Sequence, residues 1–422
     1  MASRRRVVLA GCAALGGLLA AACAPFGGPT APPTPAPASS APPLAPSGPG
    51  ITPAPGQPGV LAAPPLRGAR TVDEVLSPDL AHVIDVVVLD PSRLPLLDLD
   101  REAKIDCDVT IDGTRYTGAR IKEKGSIGSS SNLDGKPGFT ITFGKDNPKG
   151  MDKLTLNNAR QDASFLHEHL AYDLYRRAGL AAPRTTHGAV TLNGKPYGVF
   201  VMVEPFDDPF LERTFDSDKG NLYEGNAPGE LTENVDNPLV LELKDEDKGK
   251  KRDDVRALAA AIAAPEGQFE TEVRRLLDLD RFIAALALDG LLAHWDGPMF
   301  NNNNYYLYAN PRDGGRFVLM PHGADQVFDV GFDPLQEPKA LIARRVRATP
   351  SLETRLRNDL NRIMGGVWDV AALLDRMGRV GTNLREIAMR DTAVARDVAQ
   401  FEATFESMRV QVIERKSSWT PR

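Results

Sequence analysis

His294, Asp296 and Asn301 lie in the stretch HWDGPMFNNNNYYLY, and a second carboxylate, Asp325, follows in MPHGADQVFD. A histidine, an aspartate two residues on and an asparagine five residues after that aspartate form His-x-Asp-x4-Asn. Phosphoryl transfer needs such a set. It requires a carboxylate to take a hydroxyl proton, neutral or anionic oxygens around a divalent cation, and a cation on the nucleotide phosphates. By spacing, Asp296 and Asn301 are candidates for the base and a metal-binding asparagine, and Asp325 is a second carboxylate after the following hairpin. The same residues also read as a turn at Asp296-Gly297-Pro298 followed by a polar loop, and spacing alone leaves both readings open.

The elements that must position them alternate in kind. HVIDVVVLD is β-branched and apolar. AKIDCDVTIDGTRYTGARIKEKGS alternates with period two around Asp112-Gly113, the signature of a hairpin. GFTITFG is a further strand, and LNGKPYGVFVMVEP turns at Asn193-Gly194. In DASFLHEHLAYDLYRRAGL the apolar residues recur at helical spacing, with Asp162 as a capping candidate and Gly179 at the end. DLDRFIAALALDGLLAH is apolar nearly all round and is expected to be buried. The reading is an α+β domain at 70–416, with a β-rich lobe at about 80–245 and a helical lobe at about 250–416. A hairpin is inserted near 304–321.

The first 23 residues have paired arginines, a short apolar run and small residues before Cys23, an export signal with a lipobox-like end. Residues 24–69 are dominated by Pro, Ala, Gly and Ser and read as a disordered tether. An exported protein, anchored to a membrane only through an N-terminal lipid, is the expectation. The net charge of −6 gives no reason to expect nucleic acid. Of three cysteines only Cys107 lies in the domain, where it reads as a small buried hydrophobe. His167 and His169, two apart on a helix, face different ways and do not read as a metal pair.

The ordered stretches RIKEKGS, GKPGFTITF, LTLNNARQDASFLHEHLAYDLYRRAG, LNGKPYGVFVMVEP, GNLYEG, HWDGPMFNNNNYYLY and PHGADQVF resemble the spore-coat-protein-H (CotH) kinase-like family over most of 83–332. The resemblance implies an atypical, two-lobed protein-kinase-like fold that uses ATP with Mg2+ or Mn2+. It implies Asp296 as catalytic base, Asp325 with Asn301 or Asn304 as metal ligands, and Lys136 on the phosphates. Lys124, Gly125 and Ser126 would form a phosphate cover. VMVEP, with Glu204, would be the hinge beside adenine, and Glu168 the helix carboxylate that positions a lysine. Two departures stand out. His322-Gly323 replaces Trp-Asp before the last aspartate, and Glu224 stands where the family often has Lys. The function implied is phosphorylation of Ser or Thr on a surface or spore-like coat protein. The alternative is a surface-tethered binding protein on an inactive kinase-like scaffold, and a third reading is a metal-dependent hydrolase.

Overall fold

In the computed structural model, residues 70–421 are described apart from 126–127, 228, 233 and 245–248. The export segment, the Pro/Ala-rich stretch and Ser126 therefore lie outside the described residues. The strands are β1 Ala81–Val88, β2 Ile105–Ile111, β3 Thr114–Lys124, β4 Gly138–Thr142, β5 Lys153–Asn157, β6 Thr185–Leu192, β7 Lys195–Val203, β8 Leu222–Gly225, β9 Leu241–Leu243, β10 Tyr305–Asn310 and β11 Arg316–Pro321. The first seven close into a barrel in the order β1-β2-β3-β4-β5-β7-β6, sealed by parallel pairing of β1 with β6. The hairpin turns fall at Asp112-Gly113 and Asn193-Gly194, where all four residues have positive φ, as a two-residue turn between twisted strands requires.

Strand alternation explains how the barrel serves the cleft. Ile121, Phe139, Ile141, Leu154 and Leu156 point inward and are fully buried with Cys107. Their neighbours of opposite parity, among them Lys122, Lys124, Thr140 and Thr155, line a cleft on the outer face. Gly138 pairs with Lys124, and a Cβ there would come within 3.1 Å of the lysine side chain. The missing side chain leaves the ammonium its path. Burial pushes the Cys107 thiol up to about 12, as expected of an inert core cysteine.

The helices are α1 Val72–Val75, α2 Leu96–Leu99, α3 His167–Arg177, α4 Asp208–Phe215, α5 Asp253–Ile262, α6 Glu266–Leu276, α7 Leu279–Leu292, α8 Leu341–Ala348, α9 Pro350–Arg362, α10 Val370–Ala388 and α11 Thr392–Ser417. Helix α7 is buried along almost its whole length, as its uniform apolarity requires. Helix α3 starts at His167, later than its apolar spacing suggests. Asp162 still serves its N-terminus, accepting the His167 amide at 2.8 Å across a short loop. The second sheet runs β11-β10-β8-β9. Strands β8 and β9 thus belong with the hairpin at 305–321 and not with the barrel, so the β-rich lobe does not run on to 245. Their few residues, divided by a long connection, carried too little periodicity to be assigned to a sheet. The result is a two-lobed α+β architecture, a barrel followed by helices around a small sheet. No helix among the described residues is long and apolar enough to cross a membrane.

Helix α11 returns to the barrel. Asp397, 3% exposed, accepts Lys136 Nζ at 2.7 Å and the Val199 amide at 2.9 Å. Lys136 also lies over the rings of Phe165 and Phe200. Asp397→Ala would strand a mostly buried ammonium and a strand N–H. It is expected to cost about 3 kcal/mol, the low end for a broken buried pair, measured by urea unfolding of the two proteins.

Candidate active site

Lys124 ends β3 and Asn157 ends β5, so both occupy the outer face of the barrel, one on each side of β4. Lys124 Nζ donates to Asn157 Oδ1 at 2.5 Å. Asn157 Nδ2 donates to Glu168 Oε2 at 2.6 Å, and the Tyr172 hydroxyl donates to Glu168 Oε1 at 3.1 Å. Glu168 sits in the first turn of α3 and is 3% exposed. Burial first, and the neighbouring Asp325 carboxylate second, push its carboxyl up to about 7, against the pull of Asn157, Lys124 and Tyr172.

Lys124 faces three carboxylates, Glu168, Asp325 and Glu224. Burial nonetheless holds its ammonium below the usual lysine value. Glu224 on β8 is claimed by Lys244, which also pairs with Glu242 at 2.8 Å. Burial works against ionisation of Glu224, but Lys244 outweighs it and holds the carboxyl below its usual value. Burial raises Asp325, with Lys124 and His294 opposing. The Asp325 main-chain oxygen accepts His167 Nδ1 at 2.7 Å, which anchors its loop to α3. Among the described residues, no hydrogen bond from another residue reaches the Asp325 carboxylate.

The asparagine loop is built around Asp296. Helix α7 ends at Ala293 in the left-handed region, with the His294 amide bonded to the Asp289 carbonyl. His294 is fully buried, 3.6 Å from the Asp289 carboxylate and 3.4 Å from the Tyr175 hydroxyl. Burial alone would depress its pKa, but Asp289 and then Asp296 raise it above the ordinary value. Asn301 and Asn303 donate to Asp296 Oδ1 at 2.6 and 3.2 Å, and Asn304 donates to Oδ2 at 3.0 Å. The asparagines therefore turn N–H groups, not oxygens, toward the base, fixing the carboxylate's orientation. Asn303 Oδ1 is taken by the Ala227 amide. Among the described residues, no hydrogen bond reaches the Oδ1 of Asn301 or Asn304.

The two loops meet. The His322 amide donates to the Asn304 carbonyl at 2.9 Å, and the Asn304 side chain lies where a Cβ on Gly323 would be, 2.6 Å from its Cγ. Gly323 also has φ +56. A side chain at 323 would require the Asn304 side chain to move. His294 feels Asp296, and Asp325 feels His294, so both carboxylates act on one neighbourhood.

A cleft of about 930 Å3 opens beside this cluster, bounded by Lys124 and Gly125, by Glu204 and Pro205 at the end of β7, and by Glu224 and His322 opposite. Asp296 and Asp325 are not part of its lining. Asp325 meets it through the Lys124 ammonium. The His322 ring packs edge-on against Tyr306 at 5.4 Å and Phe206 at 6.1 Å, and burial, then Lys124, push it down to about 4. It is a neutral packed wall.

A family model described as CotH kinase protein matches residues 121–419. The chain belongs to this family. Inner spore coat protein H of Bacillus subtilis is 21% identical over 334 residues, covering 75% of this chain and 86% of that protein. Invasin CotH2 of Rhizopus delemar is 22% identical over 227 residues, covering 49% of this chain and 37% of that protein. Among solved structures, the HipA, HipB and operator DNA complex of Shewanella oneidensis MR-1 aligns over 71% of this chain and 63% of that one, at 11% identity and a TM-score of 0.28.

In this CotH protein the expected residues separate into three groups. Lys124, Asp325, Asp296, Asn301 and Asn304 gather at the junction of the two loops, with Gly125 on the cleft wall. Glu204 lies at the end of β7, where its carboxylate accepts Arg184 and Arg213, and its main chain runs along the cleft. Lys136, the expected phosphate partner, is instead the strut to Asp397. Glu168, weighed against a solvated helix face, is buried at the centre of the cluster. Asn157, Tyr172 and Lys244 were missed. The alternation of KLTLN carried a signal for Asn157, since it shares parity with the outward Thr155.

A divalent cation fits this donor set in one way. The described residues hold no group of three His, Cys, Asp or Glu arranged as a cage. A free Asp325 carboxylate and two amide oxygens beside an excess of negative charge instead match a cation completed by phosphate and water oxygens.

The raised Glu168 carboxyl makes a pH prediction. The folded state binds its proton more tightly than the unfolded chain does. Stability from this group is therefore full below about 4.5 and is lost as pH rises through about 7. Glu168→Gln, which mimics the protonated acid, is expected to remove this decline between pH 5 and 8.5, read as the melting temperature of both proteins across that range.

Proposed function

We propose that this protein is an exported, metal-dependent atypical kinase that transfers the ATP γ-phosphate to Ser or Thr of a surface or coat protein. The observation that carries the reading is the joining of Lys124, Glu168 and Asp325 into one cluster beside a loop whose three amides orient Asp296. Membership of the CotH kinase family supports it, as does the spore-coat relative named above.

In this reading Lys124 neutralises phosphate charge from the floor of the cleft, where burial strengthens its field. The main chain after β7 holds the adenine. Asp296 takes the proton of the acceptor hydroxyl, its carboxylate fixed by Asn301, Asn303 and Asn304. Those donors remove the reorganisation that a free side chain would require. Asp325 would hold the cation, with the side-chain oxygen of Asn301 or Asn304 as the second protein ligand. The cation supplies charge neutralisation across the phosphates. The signal-like N-terminus is the basis for export, and Cys23 for a lipid anchor.

A second reading, a nucleotide-free binding scaffold, is favoured by Gly323, which leaves the loop one carboxylate short of the family pattern. The two are separated by ligand-induced melting shifts. The kinase reading expects ATP with Mn2+ to raise the melting temperature of the wild-type protein and not of Asp325→Ala. Asp296→Asn should keep that shift and lose about 10²–10⁴-fold in turnover of labelled ATP onto a Ser/Thr acceptor. No shift in the wild type would favour the scaffold.

A further inference from the structure

We propose that Asn157 is a positioning residue for Lys124, bridging it to Glu168 so that the ammonium is held for phosphate. The inference rests on the nucleotide-site reading above and deepens it.

The side-chain amide is used at both ends. Its oxygen accepts the lysine at 2.5 Å and its N–H2 donates to Glu168 at 2.6 Å. The reversed orientation would put N–H against ammonium and oxygen against carboxylate, so the two charged neighbours lock the amide one way. Lysine is a point charge on a flexible stem, and three carboxylates compete for it here. A neutral acceptor takes one of three N–H donors, leaving two for phosphate oxygens. Lys124 and Asn157 both end barrel strands, so the spacing between them is set by the sheet and not by a loop. Tyr172 secures Glu168 from the other side, so the amide meets a fixed acceptor.

The test uses the full-length chain and three proteins: wild type, Asn157→Ala and Asn157→Ser. ATP affinity in Mn2+ is measured by titration. Lys124 reactivity is measured by acylation with an ATP acyl phosphate, read on the Lys124 peptide by mass spectrometry. Asn157→Ala is expected to weaken ATP binding about tenfold, the worth of a hydrogen bond to a charged group, with a matching fall in Lys124 acylation. KM for ATP should rise while kcat at saturating ATP holds. Asn157→Ser, which keeps an acceptor, should recover part of both losses and covers the case in which the alanine variant does not fold. A lower melting temperature with ATP affinity and acylation within twofold of wild type would mean a structural role only and overturns the inference. Failure of the wild type to bind ATP would instead remove the kinase reading on which it stands.

Discussion

One ammonium stands among three carboxylates. Lys124 is opposed by Glu168, Asp325 and Glu224, and only Glu224 has a cation of its own, Lys244. Charges removed from water must be paired or neutralised. Burial and Asp325 push the Glu168 carboxyl up to about 7, and neutral donors, Asn157 and Tyr172, stand in place of further cations. The remaining deficit sits on Asp325, whose carboxylate accepts no hydrogen bond from another described residue. A site left negative in this way is ready for a divalent cation and the phosphates it accompanies.

The rest of the molecule keeps these groups in place. The barrel fixes Lys124 and Asn157 on one face. Helix α3 carries Glu168 and Tyr172 inward and sends His167 to the Asp325 backbone. Helix α7 is buried for its length and ends in His294, whose neighbour Asp289 keeps the imidazole's pKa raised beneath the Asp296 loop. The asparagines reverse the role their oxygens suggest. Their N–H groups orient the base, and the Asn304 side chain packs against Gly323. Asp397 ties the last long helix to the barrel through Lys136 and the Val199 amide.

Much of this was legible in the sequence because local rules decide it. Asp112-Gly113 and Asn193-Gly194 mark hairpins by their tolerance of positive φ, and α7 declares its burial by its composition. The spacing from Asp296 to Asn301 marks the loop. What failed to read was tertiary. Lys124 and Lys136 sit twelve residues apart, each beside a glycine, and only the return of α11 from the far end of the chain decides which is the strut. Glu168 looked solvated because the helix carries charge, but α3 packs on several sides. Strands β8 and β9 are too short to show a period and are recruited by β10.

The central claim is that Asp325 and the Asp296 loop share one nucleotide-bound cation. A crystal grown with Mn2+ and a non-hydrolysable ATP analogue tests it through the anomalous signal of the metal. The account predicts one peak about 2.0–2.3 Å from an Asp325 oxygen and from an oxygen of Asn301 or Asn304, with Lys124 on the phosphates. Metal and nucleotide bound elsewhere, or a phosphate chain directed away from Lys124 and Asp325, would contradict it.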